Sequence, residues 1–293
     1  MADQPPVVLT IAGFDPSSGA GVTADIKTIA AHGCYGVACI TALTVQSTSG
    51  VKRVEPVDAA VITDTLQDLA SDVEIAAVHI GMLGSGKVAK AVADFLSGPA
   101  VSSKSAQHPS RTHIPNIVLD PILVSSSGAI LLDTAGIRIL VERLLRLSDV
   151  VTPNLDEAAA ITGMKVQDLD EMKSAAAKLH DMGAANVVVT GGHLDKAIDL
   201  LSFQTKAGVE QEIFKAERQR SNCTHGTGCA FATSMACHLA LNRGLAEATL
   251  LAKTYVSAAI SNGHPLGKGT DPVHHLYRMN QQRRAVGSGG ETT

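Results

Sequence analysis

Strand-like and helix-like segments alternate along most of this chain. Short apolar runs rich in β-branched residues predict buried strands at residues 7–12, 36–42, 76–80, 117–119, 150–151 and 186–190. Longer segments with a helical spacing of apolar residues lie at 25–32, 57–71, 87–96, 135–147, 155–161, 172–182, 231–241 and 246–261. Because such alternation is typical of parallel sheets, it predicts an α/β fold with a mostly parallel central sheet and helices on both faces. One hairpin is expected over residues 198–214, turning at Ala207 and Gly208.

No segment with the composition of a linker interrupts this pattern. We therefore expect a single domain over residues 1–293, with a core at about residues 7–277 and no separate lid domain. Residues 97–115 are rich in Ser, His and Pro and predict a surface insertion. Residues 281–293 are polar, end in a Gly-containing segment and predict a flexible tail.

Composition excludes several classes of partner. The chain carries a net charge of −4, contains no cluster of Lys and Arg, and has only 3% aromatic residues, so neither nucleic acid nor an anionic membrane surface is an expected partner. Its five cysteines are odd in number and form no CxxC pair, which argues against a disulfide framework or a zinc site. With no pattern of a signal peptide or a membrane span, a reducing, cytoplasmic setting is expected.

Polar and Gly-rich residues follow several of the predicted strands, where ligands bind in parallel sheets. These positions are Gly13, Gly81-Met82, Asp120 and Gly191. Residues 13–21 contain three glycines and permit close approach of a ligand, and the position of the segment on the sheet favours this interpretation over a purely structural strand–helix turn, although its spacing differs from GxGxxG. Gln46 follows another strand, and its amide could bind the edge of a nitrogen heterocycle or simply lie on a surface loop.

Residues 226–229, Gly-Thr-Gly-Cys, run directly into an Ala-rich apolar segment with the pattern of a buried helix. Glycines let backbone N–H groups converge, and a helix N-terminus adds positive potential, so this segment predicts an anion site, most often for phosphate. The same helix end would lower the pKa of the Cys229 thiol. A phosphate site with a reactive side chain favours phosphoryl transfer, but an ordinary loop that caps a core helix has the same sequence pattern.

Oxygen-bearing side chains suggest where a magnesium ion could bind. Asp120 ends a predicted strand, and Asn154 and Glu157 lie three residues apart where a helix opens. Mg²⁺ commonly binds through one or two carboxylates together with substrate phosphates. The Asn154–Glu157 spacing also predicts a capping box, and the two roles are compatible. Thr190 and the following glycines could present N–H groups to a nucleotide phosphate or form a tight turn.

Taken in order, eight strings of this chain resemble the hydroxymethylpyrimidine/phosphomethylpyrimidine kinase family of the ribokinase-like superfamily. They include Asn222-Cys-Thr-His-Gly-Thr-Gly-Cys229 and Val151-Thr-Pro-Asn-Leu-Asp-Glu157, and the others lie at 10–21, 40–46, 80–84, 119–121, 191–193 and 265–269. The resemblance covers about residues 7–277. It implies a ribokinase-like α/β fold, a homodimer, and ATP-dependent phosphorylation of 4-amino-5-hydroxymethyl-2-methylpyrimidine and then of its monophosphate, in thiamine biosynthesis.

The resemblance also implies roles for individual residues. Substrate contacts map onto Gly13, Asp15, Ala20, Thr44, Gln46 and Met82. The transferred phosphoryl group maps onto Gly226, Thr227, Gly228 and Cys229, and Cys229 stands where most ribokinase-like enzymes carry an aspartate base. Nucleotide contacts map onto Asn154, Glu157, Thr190 and Gly192, and Mg²⁺ contacts onto Asp120 and Glu157.

Two other functions fit parts of this pattern. One is pyridoxal or pyridoxine kinase activity on the same fold, although Gln46 and Cys229 favour the pyrimidine. The other is a non-catalytic ligand-binding protein on a kinase scaffold, which the intact Gly226, Gly228 and Cys229 disfavour.

The chain departs from the family pattern at three positions. Phe14 replaces a usual Ser, Thr190 replaces a usual Lys, and Ala230 replaces a usual Thr.

Overall fold

The computed structural model describes residues 4–98, 114–192, 197–217, 219 and 221–279. Its strands are β1 (Val7–Phe14), β2 (Tyr35–Ser47), β3 (Gly50–Pro56), β4 (Ile75–Ile80), β5 (Ile117–Leu119), β6 (Val150–Val151), β7 (Asn186–Gly191), β8 (Ala197–Thr205), β9 (Gly208–Ala216), β10 (Cys223–His225) and β11 (Asp271–Pro272). Its helices are α1 (Gly21–Ala31), α2 (Ala59–Asp72), α3 (Gly86–Ser97), α4 (Thr134–Ile139), α5 (Leu145–Leu147), α6 (Leu155–Thr162), α7 (Leu169–Asp181), α8 (Thr227–Ala240) and α9 (Leu245–Ser261), and a π-helical turn (Leu140–Leu144) joins α4 to α5.

A large sheet with strand order β3-β2-β1-β4-β5-β6-β7-β8-β9 forms the centre of the described chain. The strands from β2 through β7 in that order pair in parallel, whereas β3, β8 and β9 are antiparallel additions at the two edges. This arrangement confirms the predicted α/β fold with a mostly parallel sheet. The β8–β9 hairpin is also confirmed, with Gly208 at a φ of +128° where the chain turns back.

Side chains alternate between two apolar layers along the parallel strands. In β5, Ile117 and Leu119 join the cluster that packs under α2, α3, α6 and α7, whereas Val118 between them joins the cluster under α1, α8 and α9. β1 divides in the same way, with Val8 on one face and Leu9 on the other. Successive residues of a strand point to opposite faces, so both faces of this sheet are covered by helices, as expected.

One strand pair was not expected from the sequence. The strand predicted at residues 36–42 continues to Ser47 and turns back through β3, so Thr44 and Gln46 lie in a strand rather than in a loop. The β-branched residues at 44, 45, 51 and 54 support this pairing, but the polar residues between them obscured the strand pattern.

The order of the strands locates a crevice. β1 pairs with β2 on one side and with β4 on the other, so the chain changes direction across the sheet between them. Such a switch point opens a ligand crevice beyond the carboxyl ends of the strands. Here it places residues 13–21 beside Gly81 and Met82.

Two expectations concern residues that the structure does not describe. The predicted insertion at 97–115 lies outside the described residues except at its ends, and the predicted tail at 281–293 lies wholly outside them. Among the described helices, none combines the length and apolar character that a membrane crossing requires.

Candidate active site

A cavity of about 340 Å³ opens at the carboxyl edge of the sheet. All of the predicted catalytic, substrate and metal residues line it, together with Asn154 and Thr190. A second cavity of about 380 Å³ adjoins it, and Gly192 lines that one. The two cavities share the residues Thr190, Thr224, Thr227, Gly228 and Phe231. Residues that are far apart in the sequence therefore surround one two-part site.

The start of α8 forms the boundary between the two cavities. Gly226 caps the helix with a φ of +83°, and a Cβ at this position would collide with the carbonyl oxygen of Gly19. Only glycine fits both the left-handed conformation and the close backbone approach. The first-turn N–H groups of Thr227, Gly228 and Cys229 precede the helical hydrogen-bond ladder, and such groups are available to an anion. We call residues 226–229 the anion cradle.

The thiol of Cys229 does not have the predicted acidity. Cys229 belongs to the first turn of α8, not to a preceding loop, and only 8% of its surface is exposed. Burial raises the pKa of the thiol well above its usual value, and the nearby carboxylates of Asp25 and Asp120 raise it further, against one hydrogen bond from Gly21. The prediction of a lowered pKa is therefore wrong, because burial and negative charge outweigh the helix end.

Two buried carboxyl groups stand opposite the cradle. Asp120 and Glu157 are 4% and 8% exposed. Burial raises the pKa of Glu157 to about 7, and burial together with the charge of Glu157 raises the pKa of Asp120 well above its usual value. Asp120 Oδ2 would lie 3.6 Å from a Cβ at Gly228, so this carboxylate faces the cradle directly.

The N-terminus of α6 has both hydrogen bonds of the predicted capping box. Asn154 accepts a hydrogen bond from Glu157 N, and Glu157 Oε2 accepts one from Asn154 N, both at 2.9 Å. The capping box is thus present, and no hydrogen bond joins Glu157 Oε1 to the described residues, so this oxygen is available to another ligand.

Magnesium fits this pair of carboxylates. The described residues contain no group of three or more His, Cys, Asp or Glu side chains placed to hold a metal by themselves. Mg²⁺ does not need such a cage, because it binds through one or two carboxylates, water and substrate phosphates. Two buried, mutually repelling carboxylates are the donor set that a divalent cation would stabilise.

The loop after β1 is organised around Asp15. Its carboxylate accepts hydrogen bonds from Ser17 N, Ser17 Oγ, Gly19 N and Ala20 N, and it lies 2.9 Å from His225 Nε2. Burial would raise the pKa of Asp15, but the contacts with His225 and Ser17 outweigh burial and lower it. Asp15 therefore shapes the wall of the cavity and stays ionised.

Gln46 and Met82 line the same wall. Gln46 lies beside Thr44, at 3.2 Å, and beside His225, at 3.4 Å. A Cβ at Gly13 would lie 2.8 Å from the sulfur of Met82, so the missing side chain lets Met82 close the cavity. The predicted substrate residues are thus brought together.

Several residues at the site were not assigned a role from the sequence. His225 lies within the quoted string at 222–229, where a histidine beside a glycine cradle could have drawn attention. Below the cradle, Asp25 accepts hydrogen bonds at 2.7 Å from Thr10 and Thr233 and lies 3.3 Å from His79 Nδ1. Burial would lower the pKa of His79, but Asp25 and Asp120 raise it.

The second cavity also contains unassigned residues. Lys253 donates a 2.7 Å hydrogen bond to Asp199 Oδ2, and Asp199 Oδ1 accepts one from Gly191 N at 3.1 Å. This buried ion pair holds the turn that follows β7, where the sequence predicted a phosphate contact. No single string contains the pair, because its members lie on β8 and α9. His193, the end of that predicted segment, lies outside the described residues.

Comparison with known proteins places this chain in a family. A profile described as phosphomethylpyrimidine kinase matches residues 15–274. The chain belongs to this family. A hydroxymethylpyrimidine/phosphomethylpyrimidine kinase of Streptomyces coelicolor is 37% identical over 278 residues, covering 94% of this chain and 97% of that protein. The bifunctional thiamine biosynthesis protein ThiED of Geobacter sulfurreducens is 40% identical over 94% of this chain, which spans 53% of that protein's length.

Solved structures show the same fold. Phosphomethylpyrimidine kinase of Clostridium difficile has a TM-score of 0.72 and 32% identity, covering 87% of this chain and 99% of that one. Pyridoxal kinase of Staphylococcus aureus, solved with AMP-PCP and pyridoxal, has a TM-score of 0.79 and 29% identity. The match covers 93% of this chain and 94% of that one. The ribokinase-like fold implied by the resemblance is therefore confirmed.

Proposed function

We propose that this chain transfers a phosphoryl group from ATP to the hydroxymethyl group of 4-amino-5-hydroxymethyl-2-methylpyrimidine, and then to the resulting monophosphate, in thiamine biosynthesis. The observation that carries the proposal is the position of the anion cradle between two adjoining cavities. Phosphoryl transfer needs little covalent help from the protein, and depends on alignment of two substrates around a site that stabilises negative charge. The family supports the choice of reaction.

We assign the nucleotide to the second cavity. Its walls combine apolar side chains of α9, such as Val256 and Ile260, with the turn at Gly192 and the cradle residues Thr227 and Gly228. An aromatic base suits the apolar wall, and its phosphates would then reach the cradle together with Thr190 and Asn154. The Staphylococcus aureus pyridoxal kinase, which has the same fold, was solved with an ATP analogue.

We assign the pyrimidine to the first cavity. Gly13, Ala20, Thr44, Gln46 and Met82 line its inner wall, and Gln46 can pair with both the amino group and a ring nitrogen of an aminopyrimidine. The cradle lies at the far side of the same cavity, where the hydroxymethyl oxygen must meet the phosphoryl group.

We assign Mg²⁺ to Asp120 and Glu157, in direct contact or through water. Bound there, it would neutralise charge on the ATP phosphates. The carboxylates themselves orient toward the cradle from β5 and from the N-terminus of α6, and the capping box fixes Glu157 in place.

We assign acceptance of the hydroxymethyl proton to the thiolate form of Cys229. Because the pKa of this thiol is raised, the thiolate is a minor species at neutral pH, and the first phosphorylation should accelerate with pH. The loose transition state of phosphoryl transfer demands little base strength, which makes a sparsely ionised thiol sufficient.

The test is release of ADP with Mg·ATP and the pyrimidine, with products identified by mass. We expect both the monophosphate and the diphosphate. Pyridoxal, assayed in parallel, tests the second candidate function, which the pyridoxal kinase structures of similar fold favour. Turnover of pyridoxal alone would show that the substrate is pyridoxal and that the reaction is still phosphoryl transfer from ATP. Turnover of neither compound would contradict the kinase proposal.

The proposal also includes the domain organisation, the oligomeric state and the compartment. We propose one catalytic domain that forms a homodimer in the cytoplasm. The solvent face of β2 and its ends expose the apolar side chains Tyr35, Ile40, Leu43 and Val45, which a second copy could cover. The free, buried cysteines suit a reducing compartment. Light scattering during gel filtration should give twice the 30.3 kDa chain mass, and a single-chain mass at all concentrations would contradict the dimer.

A further inference from the structure

The loop after β1 meets the anion cradle at Gly19. This residue is buried, and its carbonyl oxygen lies directly against Gly226, the first residue of the cradle. A Cβ at position 19 would also come within 2.2 Å of His225 Cδ2 and 3.0 Å of Pro272 Cβ. The next residue, Ala20, lines the first cavity. A shift of Gly19 would therefore move both the pyrimidine wall and the start of the cradle.

The peptide group between Gly19 and Ala20 is held from two sides. Its N–H, on Ala20, donates a hydrogen bond to Asp15 Oδ2 at 2.9 Å. Its carbonyl oxygen, on Gly19, lies 3.3 Å from His275 Nε2. The C=O and N–H of a trans peptide point in opposite directions, so the two contacts together fix the plane of the group. Among the described residues, no other donor forms a hydrogen bond with this carbonyl oxygen.

The hydrogen on the His275 ring can be located from its neighbours. A carbonyl oxygen only accepts, so Nε2 must carry the hydrogen that is donated to Gly19. His275 is 3% exposed, and burial lowers the pKa of its ring to about 4, so the ring is neutral at pH 7 and carries no second hydrogen. Nδ1 is then an acceptor, and it lies 3.2 Å from the hydroxyl of Thr28, which can donate to it. Each ring nitrogen therefore has one matched partner.

His275 belongs to a segment that also supports the cradle. Within residues 271–275, β11 pairs with β10, the strand that leads into the cradle, and Val273 N donates to His225 O at 3.2 Å. Backbone hydrogen bonds thus join this segment to the cradle, whereas the side chain of His275 joins it to the loop after β1.

We infer that His275 is a positioning residue that fixes the Gly19 carbonyl group, and through it the spacing between the pyrimidine wall and the anion cradle. This inference rests on the proposed function. His275 lines neither of the two cavities, so it acts on the reaction only through Gly19. A buried carbonyl group that loses its donor must turn toward another one, and this carbonyl borders the residue that begins the cradle. Because phosphoryl transfer depends on the alignment of two substrates, such a movement should lower its rate.

The test uses two substitutions that separate the two nitrogens of the imidazole ring. In His275→Gln the amide nitrogen is as many bonds from Cβ as Nε2 is, so it can still donate to Gly19, whereas the contact of Nδ1 with Thr28 is lost. In His275→Asn the amide extends only as far as Nδ1, so it can contact Thr28 and cannot reach Gly19. Both variants replace the same buried ring with an amide and form a matched pair.

We expect kcat with the pyrimidine to fall about 10²-fold in His275→Asn, because a small misplacement of the reacting groups has an effect of this size, and to stay near the wild-type value in His275→Gln. Hydrogen exchange of residues 15–21, followed by mass spectrometry, should accelerate in His275→Asn alone. The dissociation constant of ADP, measured by calorimetry, should be unchanged in both variants, since the nucleotide is assigned to the second cavity.

Equal kcat values in the two variants would overturn the inference, whether both retain activity or both lose it, as would equal hydrogen exchange of this loop. Loss of ADP binding in His275→Asn would also overturn it, because the fold as a whole would then be disturbed. Should either variant fail to fold, ¹⁵N-histidine NMR of the wild type decides, because a hydrogen on Nδ1 of His275 instead of Nε2 would overturn the inference. Failure of the proposed function is recognised separately, as absence of ADP release by the wild type, and hydrogen exchange then still tests the position of the loop.

Discussion

At the scale of the residue, Cys229 shows how position in a helix and local environment can oppose one another. Its place in the first turn of α8 lowers the pKa of a thiol, whereas complete packing and the carboxylates of Asp25 and Asp120 raise it. The net effect is a thiol that ionises above neutral pH. In the proposed mechanism such a base would serve the alcohol substrate, whose proton must be removed, and would have no proton to remove from a phosphate monoester that is already ionised.

Cys229→Ala should therefore separate the two phosphorylations. We expect kcat for the alcohol to fall about 10²-fold, the usual size of a general-base contribution, and kcat for the monophosphate to fall less than about tenfold. In the wild type, kcat for the alcohol should rise with pH through the alkaline range, since a raised pKa shifts the thiolate to higher pH. Rates for each substrate are measured from pH 6 to 10. Cys237→Ala, a buried cysteine on the same helix, is the control, and equal losses in both steps would indicate a purely structural role for Cys229.

At the scale of the element, the N-terminus of α6 combines two roles that the sequence could not separate. Glu157 completes the capping box through Oε2 and keeps Oε1 for the proposed metal. Glu157→Gln retains an oxygen acceptor for Asn154 N and removes the charge. We expect little change in Tm and an approximately tenfold higher Mg²⁺ concentration for half-maximal activity, because one charge-bearing ligand is lost.

Asn154→Ala is the matched variant, since it removes the cap and keeps the carboxylate. It should cost about 1 kcal/mol, equivalent to about 2–4 °C in Tm, and shift the Mg²⁺ requirement much less than Glu157→Gln does. Melting curves and Mg²⁺ titrations of both variants provide the comparison. A large loss of Tm in Glu157→Gln with an unchanged Mg²⁺ requirement would leave Glu157 with the capping role alone.

Elements and contacts differ in how far the sequence could predict them. Strands such as β5 were located because buried parallel strands are short, continuous apolar runs, and the glycines after β1 marked the ligand edge. β3 was not predicted, since apolar and polar residues alternate only weakly along a strand whose residues are all exposed or half-buried. The partners of the site residues could not be predicted, because the Asp15–His225 contact joins positions 210 residues apart and depends on the packed fold. The pKa of Cys229 was predicted wrongly for the same reason, because the burial and the carboxylates that raise it arise only in the packed fold.

At the scale of the whole molecule, buried and half-buried histidines link α1 to α8 and to the C-terminal segment. His32 on α1 contacts Thr28 O and Ser234 Oγ, and its ring packs against that of His238 on α8. His275 contacts Thr28 Oγ1 and Gly19 O. Burial lowers the pKa of each of these three histidines to about 4. The native protein thus holds them neutral at a pH where the unfolded chain protonates them.

The sign of the resulting pH dependence follows from linkage. Stability from a histidine with a lowered pKa is complete above the unfolded value of 6.5 and is lost as pH falls toward the folded value of about 4. Other groups oppose this trend, since Glu157 with its raised pKa gains stability on acidification. A single variant isolates one histidine from this balance. His238 is the choice, because neither of its buried ring nitrogens has a hydrogen-bond partner among the described residues.

We expect His238→Leu to gain about 1–2 kcal/mol in free energy of unfolding relative to the wild type between pH 7 and pH 5, because the variant no longer loses the histidine contribution. Urea denaturation of both proteins at pH 7, 6 and 5 measures this difference, in which the contributions of the shared groups cancel. Met235→Leu, at a buried position of the same helix, is the control, since it removes no titratable group and its free energy of unfolding should keep a constant offset from that of the wild type. A difference between His238→Leu and the wild type that does not change with pH would show that His238 does not contribute to the acid sensitivity of the fold.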